Sequence, residues 1–115
     1  VTLTVKGCRL KLEVADTETK RSIGLMFRKE LDRDSGMLFV FKKPIYAIFW
    51  MKDTSIPLSL AFLDQDGVIL EIIDLKPFDL TMKVSKNKVS FAIEVNQGWF
   101  GKNGIKPGDI IKELV

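Results

Sequence analysis

The sequence predicts one mainly β domain over residues 1–115, an antiparallel β-sandwich or barrel-like fold of eight or nine strands. Three observations support this prediction. The chain has 115 residues, the usual size of a single domain, and 46% of them are hydrophobic, enough for a sizeable core. Short apolar or alternating runs are separated by turns of glycine, proline and polar residues. Helical patterns are rare, whereas a parallel α/β sheet would need several crossover helices.

The N-terminal part of the chain predicts a hairpin followed by the main helix of the domain. VTLTV and CRLKLEVA alternate apolar and polar residues around a Lys-Gly pair that suits a tight turn, so residues 1–15 are expected to form two strands. Asp16 and Thr17 can cap a short amphipathic helix over about residues 17–29. The apolar stripe expected on that helix consists of Ile23, Met26, Phe27 and Leu31.

Apolar or alternating runs predict seven further strands, at residues 36–41, 45–52, 58–63, 68–73, 80–85, 88–95 and 110–115. The first of these runs is apolar on both faces, which is typical of a buried strand. Polar turns at Asp64–Gly67 and at Lys86-Asn87 are expected to join neighbouring strands into hairpins. A glycine-rich segment near residues 97–103 favours one helical turn.

The composition argues against several classes of function. The chain has no histidine and one cysteine, Cys8, so it lacks the usual ligands of transition metals, and we expect neither a metal nor a cofactor. Histidine-based acid–base catalysis and an intramolecular disulfide are excluded for the same reason. The net charge of +3 is small and does not favour a nucleic-acid partner. No apolar run approaches the ~20 residues of a transmembrane helix, so we expect a soluble chain.

A polar interruption follows the aromatic run in IYAIFWMKDT. If residues 45–52 form a strand, Trp50, Lys52 and Thr54 share one face and Asp53 points to the other. An aromatic side chain followed by a cation is a common pattern for the wall of a binding pocket. A core tryptophan beside a surface lysine would give the same pattern.

Glu94 lies in the middle of the apolar run SFAIEVN. A glutamate at such a position is either exposed to solvent or buried and paired. If the strand is buried on both faces, Lys52 or Arg28 would serve as the partner of the carboxylate. The sequence leaves open whether Lys52 meets Glu94, and whether they would meet across a pocket or inside the core.

Four segments of the chain form an ordered set of motifs: GLMFR (24–28), GMLFVF (36–41), FWMKDTSIPLSLAFLDQDG (49–67) and AIEVNQGWFGKNGIKPGD (92–109). In this order they resemble the domain of unknown function 192 family, small bacterial and archaeal proteins also called uncharacterised protein family 0127. The resemblance covers about residues 12–112. The positions that match the family's motifs are Gly24, Leu25, Met26, Arg28, Gly36, Met37, Phe39, Trp50, Met51, Lys52, Thr54, Pro57, Asp64, Gly67, Glu94, Gly98, Trp99, Gly104 and Gly108.

This resemblance implies a compact, mainly β domain and no established activity. Members of the family often carry an N-terminal export signal, and this chain begins with Val1 rather than methionine, so an exported or periplasmic location is slightly favoured. At Asp53 the chain departs from the family, which more commonly has asparagine there. If that amide contacts a ligand in the relatives, the charge of Asp53 would alter or abolish the contact.

The leading functional hypothesis is a small ligand-binding module. Its cleft would suit an anionic or polyhydroxylated, sugar-like molecule, because an indole offers a stacking surface and the cations offer charge. The residues expected to line this cleft are Arg28, Trp50, Lys52, Thr54, Glu94 and Trp99.

Two alternatives remain open at this stage. The first is an enzyme that uses Glu94 as general acid or base beside Lys52 and acts on a glycan or envelope component. The second is a structural or interaction domain in which the same polar residues form a buried network. The sequence gives no indication of the oligomeric state.

Overall fold

The computed structural model describes residues 1–114 and confirms that the domain is mainly β. This part of the chain forms strands, two short α-helices and a final 3-10 helix. In chain order the elements are β1 Thr2–Val5, β2 Cys8–Ala15, α1 Glu18–Ile23, β3 Ser35–Ile45, β4 Ile48–Phe49, β5 Leu58–Leu63, β6 Ile69–Leu75, β7 Lys83–Val84, β8 Val89–Asn96, α2 Trp99–Lys102 and the 3-10 helix Lys112–Leu114. Within residues 1–114, no helix is long and apolar enough to cross a membrane.

Six strands form one mixed sheet in the order β1-β2-β3-β8-β5-β6. Neighbouring strands are antiparallel except β2 and β3, which run parallel. The parallel pair forms because the segment between Ala15 and Ser35, which contains α1, carries the chain back before β3 begins. The sheet is open, with β1 and β6 at its edges, so it is not the closed barrel that the sequence allowed. The sandwich arrangement stays a prediction.

Strands β4 and β7 form a separate two-stranded antiparallel sheet in which Ile48 lies opposite Val84. The hairpin predicted over residues 80–95 is therefore wrong, because β7 pairs with β4, and β8 pairs with β3 and β5. The strand predicted at residues 45–52 is reduced to two residues, and after Phe49 the chain leaves the sheet. The alternation of side chains expected beyond that point does not apply.

Helix α1 begins as predicted but ends well before its predicted end. The Thr17 hydroxyl caps it by accepting a hydrogen bond from a backbone N–H of the first turn, at 3.1 Å. Gly24 stops the helix with φ 52° and ψ −127°, a conformation open in practice only to glycine. The expected apolar stripe is therefore wrong: Ile23 and Phe27 are 49% and 77% exposed, and Leu25 enters the core instead.

The remaining sequence predictions concern the N-terminal hairpin, three strands, the helical turn and the C-terminal strand. The N-terminal hairpin is confirmed, and both residues of its Lys-Gly turn have positive φ, 49° and 79°. The runs at 36–41, 58–63 and 68–73 fall on β3, β5 and β6, and α2 lies inside the predicted turn at 97–103. The C-terminal strand is wrong over its described part, which ends in the 3-10 helix, and Val115 lies outside the described residues.

The main sheet has a hydrophobic cluster on each face, because β3, β5 and β8 present apolar side chains to both sides. Helix α2 packs on one cluster, and the loop after α1 and the segment around β4 pack on the other. On β8, Ile93 belongs to the first cluster and Ala92 to the second. Glu94 shares the face of Ala92, with Met37 and Leu60 as its cross-strand neighbours. A carboxyl group thus lies on an otherwise apolar face.

Candidate functional site

A cavity of ≈ 420 Å³ lies on the face of the main sheet that carries Glu94. One wall is the end of α1 with the loop that follows it, and the other wall is the segment from Ile48 to Thr54. This volume falls within the range of about 300–1,000 Å³ that is usual for small-molecule sites. The glycine and the polar or indole side chains that line it are Arg21, Ser22, Gly24, Trp50, Lys52, Asp53, Thr54 and Glu94.

Glu94 is the most unusual residue of this cavity. Only 4% of the residue is exposed, yet no hydrogen bond or ion pair to its carboxyl is present among residues 1–114. Burial disfavours the charged form and raises the pKa of the Glu94 carboxyl from 4.5 to about 8. At neutral pH this group is therefore mainly protonated, and it can both donate and accept a hydrogen bond.

The backbone of Glu94 is held close to β3 by Gly36. A Cβ atom at Gly36 would lie 2.1 Å from the Glu94 carbonyl oxygen, which is far inside van der Waals contact. Only glycine therefore allows the two strands to approach this closely at this position. This explains the glycine at the start of the GMLFVF motif.

The segment Trp50–Thr54 forms the second wall as a turn rather than a strand. The Lys52 ammonium lies 5.5 Å from the centre of the Trp50 ring, in the geometry of a cation–π contact. The buried Thr54 hydroxyl donates to the Lys52 carbonyl oxygen at 2.9 Å. Asp53 has φ 54°, in the left-handed region, which lets the chain turn there. As a result all four polar or aromatic side chains of this segment line the cavity.

The first wall contains a cation that sequence reasoning missed. Arg21 donates to the Val40 carbonyl oxygen at 2.9 Å, and its guanidinium lies 5.8 Å from the centre of the Phe41 ring. Gly24 lies against Phe39, which is 3.5 Å from the place of an added Cβ. The signal for Arg21 was weak, because a basic residue in the last turn of a helix is common; the GLMFR motif that follows it was the better pointer.

The structure brings four of the six predicted site residues together and leaves two outside. Trp50, Lys52, Thr54 and Glu94 line the one cavity, although Lys52 makes no ion pair with the carboxyl. Arg28 lies outside the lining of this cavity: its guanidinium pairs with the Glu13 carboxylate, and it borders two neighbouring depressions, one of which shares Ile23 and Gly24 with the cavity. That ion pair also lowers the pKa of Glu13.

Trp99 is also outside the cavity. It packs in the hydrophobic cluster on the opposite face of the main sheet, and its indole Nε1–H donates to Asp34 Oδ1 at 2.7 Å. The indole is 5% exposed and borders a different depression. Placing it beside the cleft is therefore wrong, because sequence distance from Glu94 says nothing about which face of the sheet a following helix covers.

Among residues 1–114, no group of three or more acidic, cysteine or histidine side chains is arranged to hold a metal ion. The chemistry available in the cavity is thus that of one neutral carboxyl, two cations, a carboxylate and an indole. These groups can bind a polar molecule by hydrogen bonds and stacking, and the carboxyl can exchange a proton near neutral pH.

Two crystal structures are similar to the whole domain. One is a protein of unknown function from Novosphingobium aromaticivorans, with a TM-score of 0.89 and 35% sequence identity, covering 96% of this chain and 81% of that one. The other is a "putative transcription regulator" from Sinorhizobium meliloti, with a TM-score of 0.88 and 33% identity, covering 95% of this chain and 87% of that one. No protein with a curated description matches the chain.

A family model matches nearly the full length of the sequence. It is DUF192, described as "Uncharacterized ACR", and it matches residues 1–112. The order of motifs read from the sequence resembles the same family. The chain therefore belongs to the domain of unknown function 192 family.

Proposed function

We propose that this protein is a small ligand-binding module and that its site is the cavity above Glu94. The single observation that carries the proposal is a buried carboxyl, 4% exposed, that lines a ≈ 420 Å³ cavity without a protein partner. Within residues 1–114, no fully enclosed side-chain oxygen or nitrogen lacks a hydrogen-bond partner, so the oxygens of this carboxyl are reachable from the cavity. A ligand in the cavity would therefore take the hydrogen bonds that no protein group makes to Glu94.

The other groups of the cavity favour an anionic or polyhydroxylated ligand. A protonated Glu94 would donate to an oxygen of the ligand, and Lys52 and Arg21 would balance a negative charge. The Trp50 ring, 38% exposed, would offer an apolar surface to the carbon skeleton of a sugar-like molecule. Export signals are common in the family, which favours an exported protein. Such a protein would meet sugar-like or anionic ligands outside the cytoplasm.

Thermal unfolding in the presence of gluconate, glucose or phosphate tests the proposal. Gluconate combines hydroxyls with a carboxylate, glucose has only hydroxyls, and phosphate has only charge. A ligand at a hundred times its dissociation constant adds about 2.7 kcal/mol to the free energy of unfolding. We expect gluconate to raise the melting temperature most.

Matched variants test whether the shift in melting temperature depends on residues of the cavity. Glu94→Gln and Lys52→Met should reduce the shift, and Arg28→Met should keep it, because Arg28 is a cation outside the lining of the cavity. A shift that survives Glu94→Gln and Lys52→Met unchanged, or the lack of a shift with all three compounds, would contradict the proposal.

A second candidate function is an enzyme that uses Glu94 as general acid or base. The observation in its favour is the pKa of about 8, which lies close to the pH at which such a group works best. Incubation with glycan fragments, followed by mass spectrometry of the products, would detect turnover. In an enzyme Glu94→Gln abolishes product formation and leaves binding in place, whereas a binding module forms no product at all.

The structural alternative has less support. A buried network would join Glu94 to Lys52 or another side chain, and residues 1–114 contain no such bond. Under that alternative, Lys52→Met combined with Glu94→Leu should leave a folded protein with unchanged ligand shifts.

The Sinorhizobium relative is called a "putative transcription regulator", but we do not propose nucleic-acid binding for this chain. The net charge of this chain is +3, and its lysines at 83, 86 and 88 are interleaved with an exposed valine and polar residues. A nucleic-acid interface usually has a stronger excess of positive charge.

A further inference from the structure

Most of the exposed large hydrophobic side chains lie in three short segments. Twelve such side chains are exposed in the described part of the chain, and nine of them fall in residues 23–27, 46–50 and 78–84. We call these nine the apolar face: Ile23, Phe27, Tyr46, Ile48, Trp50, Phe78, Leu80, Met82 and Val84.

Backbone contacts join the three segments into one surface. Ile48 lies opposite Val84 in the small sheet. The Phe78 N–H donates to the Thr54 carbonyl oxygen at 3.0 Å, and the Phe27 N–H donates to the Asp53 carbonyl oxygen at 2.8 Å. Large apolar side chains that are exposed on neighbouring segments in this way are typical of an interaction site in soluble proteins.

The same region carries the positive charge of the molecule. Residues 42–54 and 76–88 contain seven lysines and two aspartates, a net charge of +5, against +3 for the whole chain. The rest of the chain therefore has a net charge of −2. Lys86 and Lys88 are exposed and follow β7 in the chain. Lys52 is also exposed and follows β4 and Trp50. The partner of the apolar face must therefore accept apolar groups and cations together.

A second copy of this chain does not meet that requirement on the same face, because a symmetric contact would bring two positive surfaces together. A protein partner is also disfavoured. Interfaces between proteins are enriched in arginine and depleted in lysine, and seven of the nine cations in residues 21–28, 42–54 and 76–88 are lysines, the other two being Arg21 and Arg28. Lysines mixed with tryptophan, tyrosine and aliphatic side chains are typical of membrane-surface segments.

We propose that the apolar face docks on the surface of a lipid bilayer that contains anionic headgroups. Its aliphatic and aromatic side chains enter the headgroup region, and the neighbouring lysines contact the phosphates. The proposal is independent of the ligand-binding function, although Ile23, Ile48 and Trp50 also border the cavity and place its rim on this face.

Co-sedimentation with vesicles tests this docking. The two probes are vesicles of phosphatidylcholine alone and vesicles that contain roughly 30 mol% phosphatidylglycerol. We expect binding to the anionic vesicles and at least tenfold weaker binding to the neutral ones. Binding should weaken as salt is added, because mobile ions screen exposed charges.

Two pairs of variants locate the contact. Lys86→Glu with Lys88→Glu should weaken binding at least tenfold, since each cation near an anionic membrane contributes about fivefold in affinity. Met82→Ser with Val84→Thr should weaken it at both high and low salt. The matched controls are Lys102→Glu with Lys112→Glu, and Ile110→Thr, which lie outside the apolar face and should bind as the wild type does.

Three outcomes would overturn the proposal. They are equal sedimentation with both kinds of vesicle, an equal loss in the control variants, and a dimer in analytical ultracentrifugation that Val84→Thr dissociates. Glu94→Gln should leave vesicle binding unchanged while it changes the ligand shifts, so failure of one proposal is distinguishable from failure of the other.

Discussion

Glu94 is only 4% exposed because it lies on the central strand β8, between Met37 and Leu60. Its side chain lies on the face of Ala92 and lines the cavity there. Such a group favours its neutral form, and its proton stays bound up to a pKa of about 8. Binding chemistry at this site therefore begins from a carboxylic acid rather than a carboxylate.

The stability of the protein should depend on pH through this residue. The pKa is higher in the folded chain, about 8, than its ordinary value of 4.5, so the free energy of unfolding falls as the pH rises from about 4.5 to about 8. Glu94→Gln removes this dependence. We compare the free energy of unfolding of the variant with that of wild type by urea unfolding at each pH. This difference should shift in favour of the variant by about 3 kcal/mol when the pH is raised from about 5 to about 8.

Comparison of the two pH values cancels any pH-independent effect of the glutamine. Glu71→Gln on β6 is the matched control, a half-buried glutamate in the middle of a strand. An equal gain in that variant, or parallel pH profiles for Glu94→Gln and wild type, would show that Glu94 is not the group responsible.

The backbone conformation at Asp53 explains why aspartate can replace the asparagine that is more common in the family. Its φ of 54° is unfavourable for most residues and better tolerated by asparagine and aspartate. We expect Asp53→Asn to change the free energy of unfolding by a few tenths of a kcal/mol, and Asp53→Ala to lower it by about 1 kcal/mol. Equal unfolding midpoints for the two variants in urea would contradict this explanation.

At the scale of elements, the loop after α1 and the turn after β4 replace structures that the sequence pattern favours. Gly24 ends α1 early, and the chain then places Leu25 in the core while Phe27 stays exposed. Hydrogen bonds from Phe27 to Asp53 and from Phe78 to Thr54 fix these irregular segments against each other. The walls of the cavity are thus built from segments outside the main sheet.

The close approach of β3 to β8 depends on Gly36. Gly36→Ala should lower the free energy of unfolding by roughly 3 kcal/mol, because the new Cβ would lie 2.1 Å from the Glu94 carbonyl oxygen and the strands must separate. Gly101→Ala in α2 is the control: no atom lies within 4 Å of its added Cβ, so alanine should be neutral or stabilising by up to about 1 kcal/mol. Urea unfolding measures both, and similar losses would contradict the packing argument.

At the scale of the whole molecule, the two proposed functions lie on adjoining surfaces that share Ile23, Ile48 and Trp50 but otherwise depend on different residues. The cavity depends on Glu94 and Lys52, and the docking surface depends on Met82, Val84 and the lysines of residues 76–88. Lys86→Glu with Lys88→Glu should therefore weaken vesicle binding at least tenfold and leave the gluconate shift unchanged. Loss of both properties in this variant would mean that the two surfaces act as one site.

Local patterns predicted much of the fold. Alternation specified the first hairpin, and a doubly apolar run specified the buried part of β3, because burial on one or both faces is written in neighbouring residues. The pairing of β7 with β4 was not predictable in this way. Its partner is set by contacts between residues far apart in the chain, and a short turn at Lys86-Asn87 looks the same whether or not it joins a hairpin.

The candidate site was predicted in part for the same reason. Trp50, Lys52 and Thr54 stand close in sequence, so any turn brings them to one place, and Glu94 stood out as a charge in an apolar strand. Arg28 and Trp99 were misplaced because their direction depends on where α1 ends and on which face α2 covers. Arg21 was missed because nothing in its immediate sequence indicates a cavity.

The sequence by itself determined the class of this protein: a mainly β domain of the domain of unknown function 192 family, with its core strands and turns. These features follow from the composition and periodicity of short segments. Only the tertiary structure decided that the sheet is mixed and open, that Glu94 is buried without a partner among residues 1–114, and that nine exposed apolar side chains lie on three neighbouring segments. Those properties arise when strands distant in sequence pack together, and burial and charge are then set by neighbours in space.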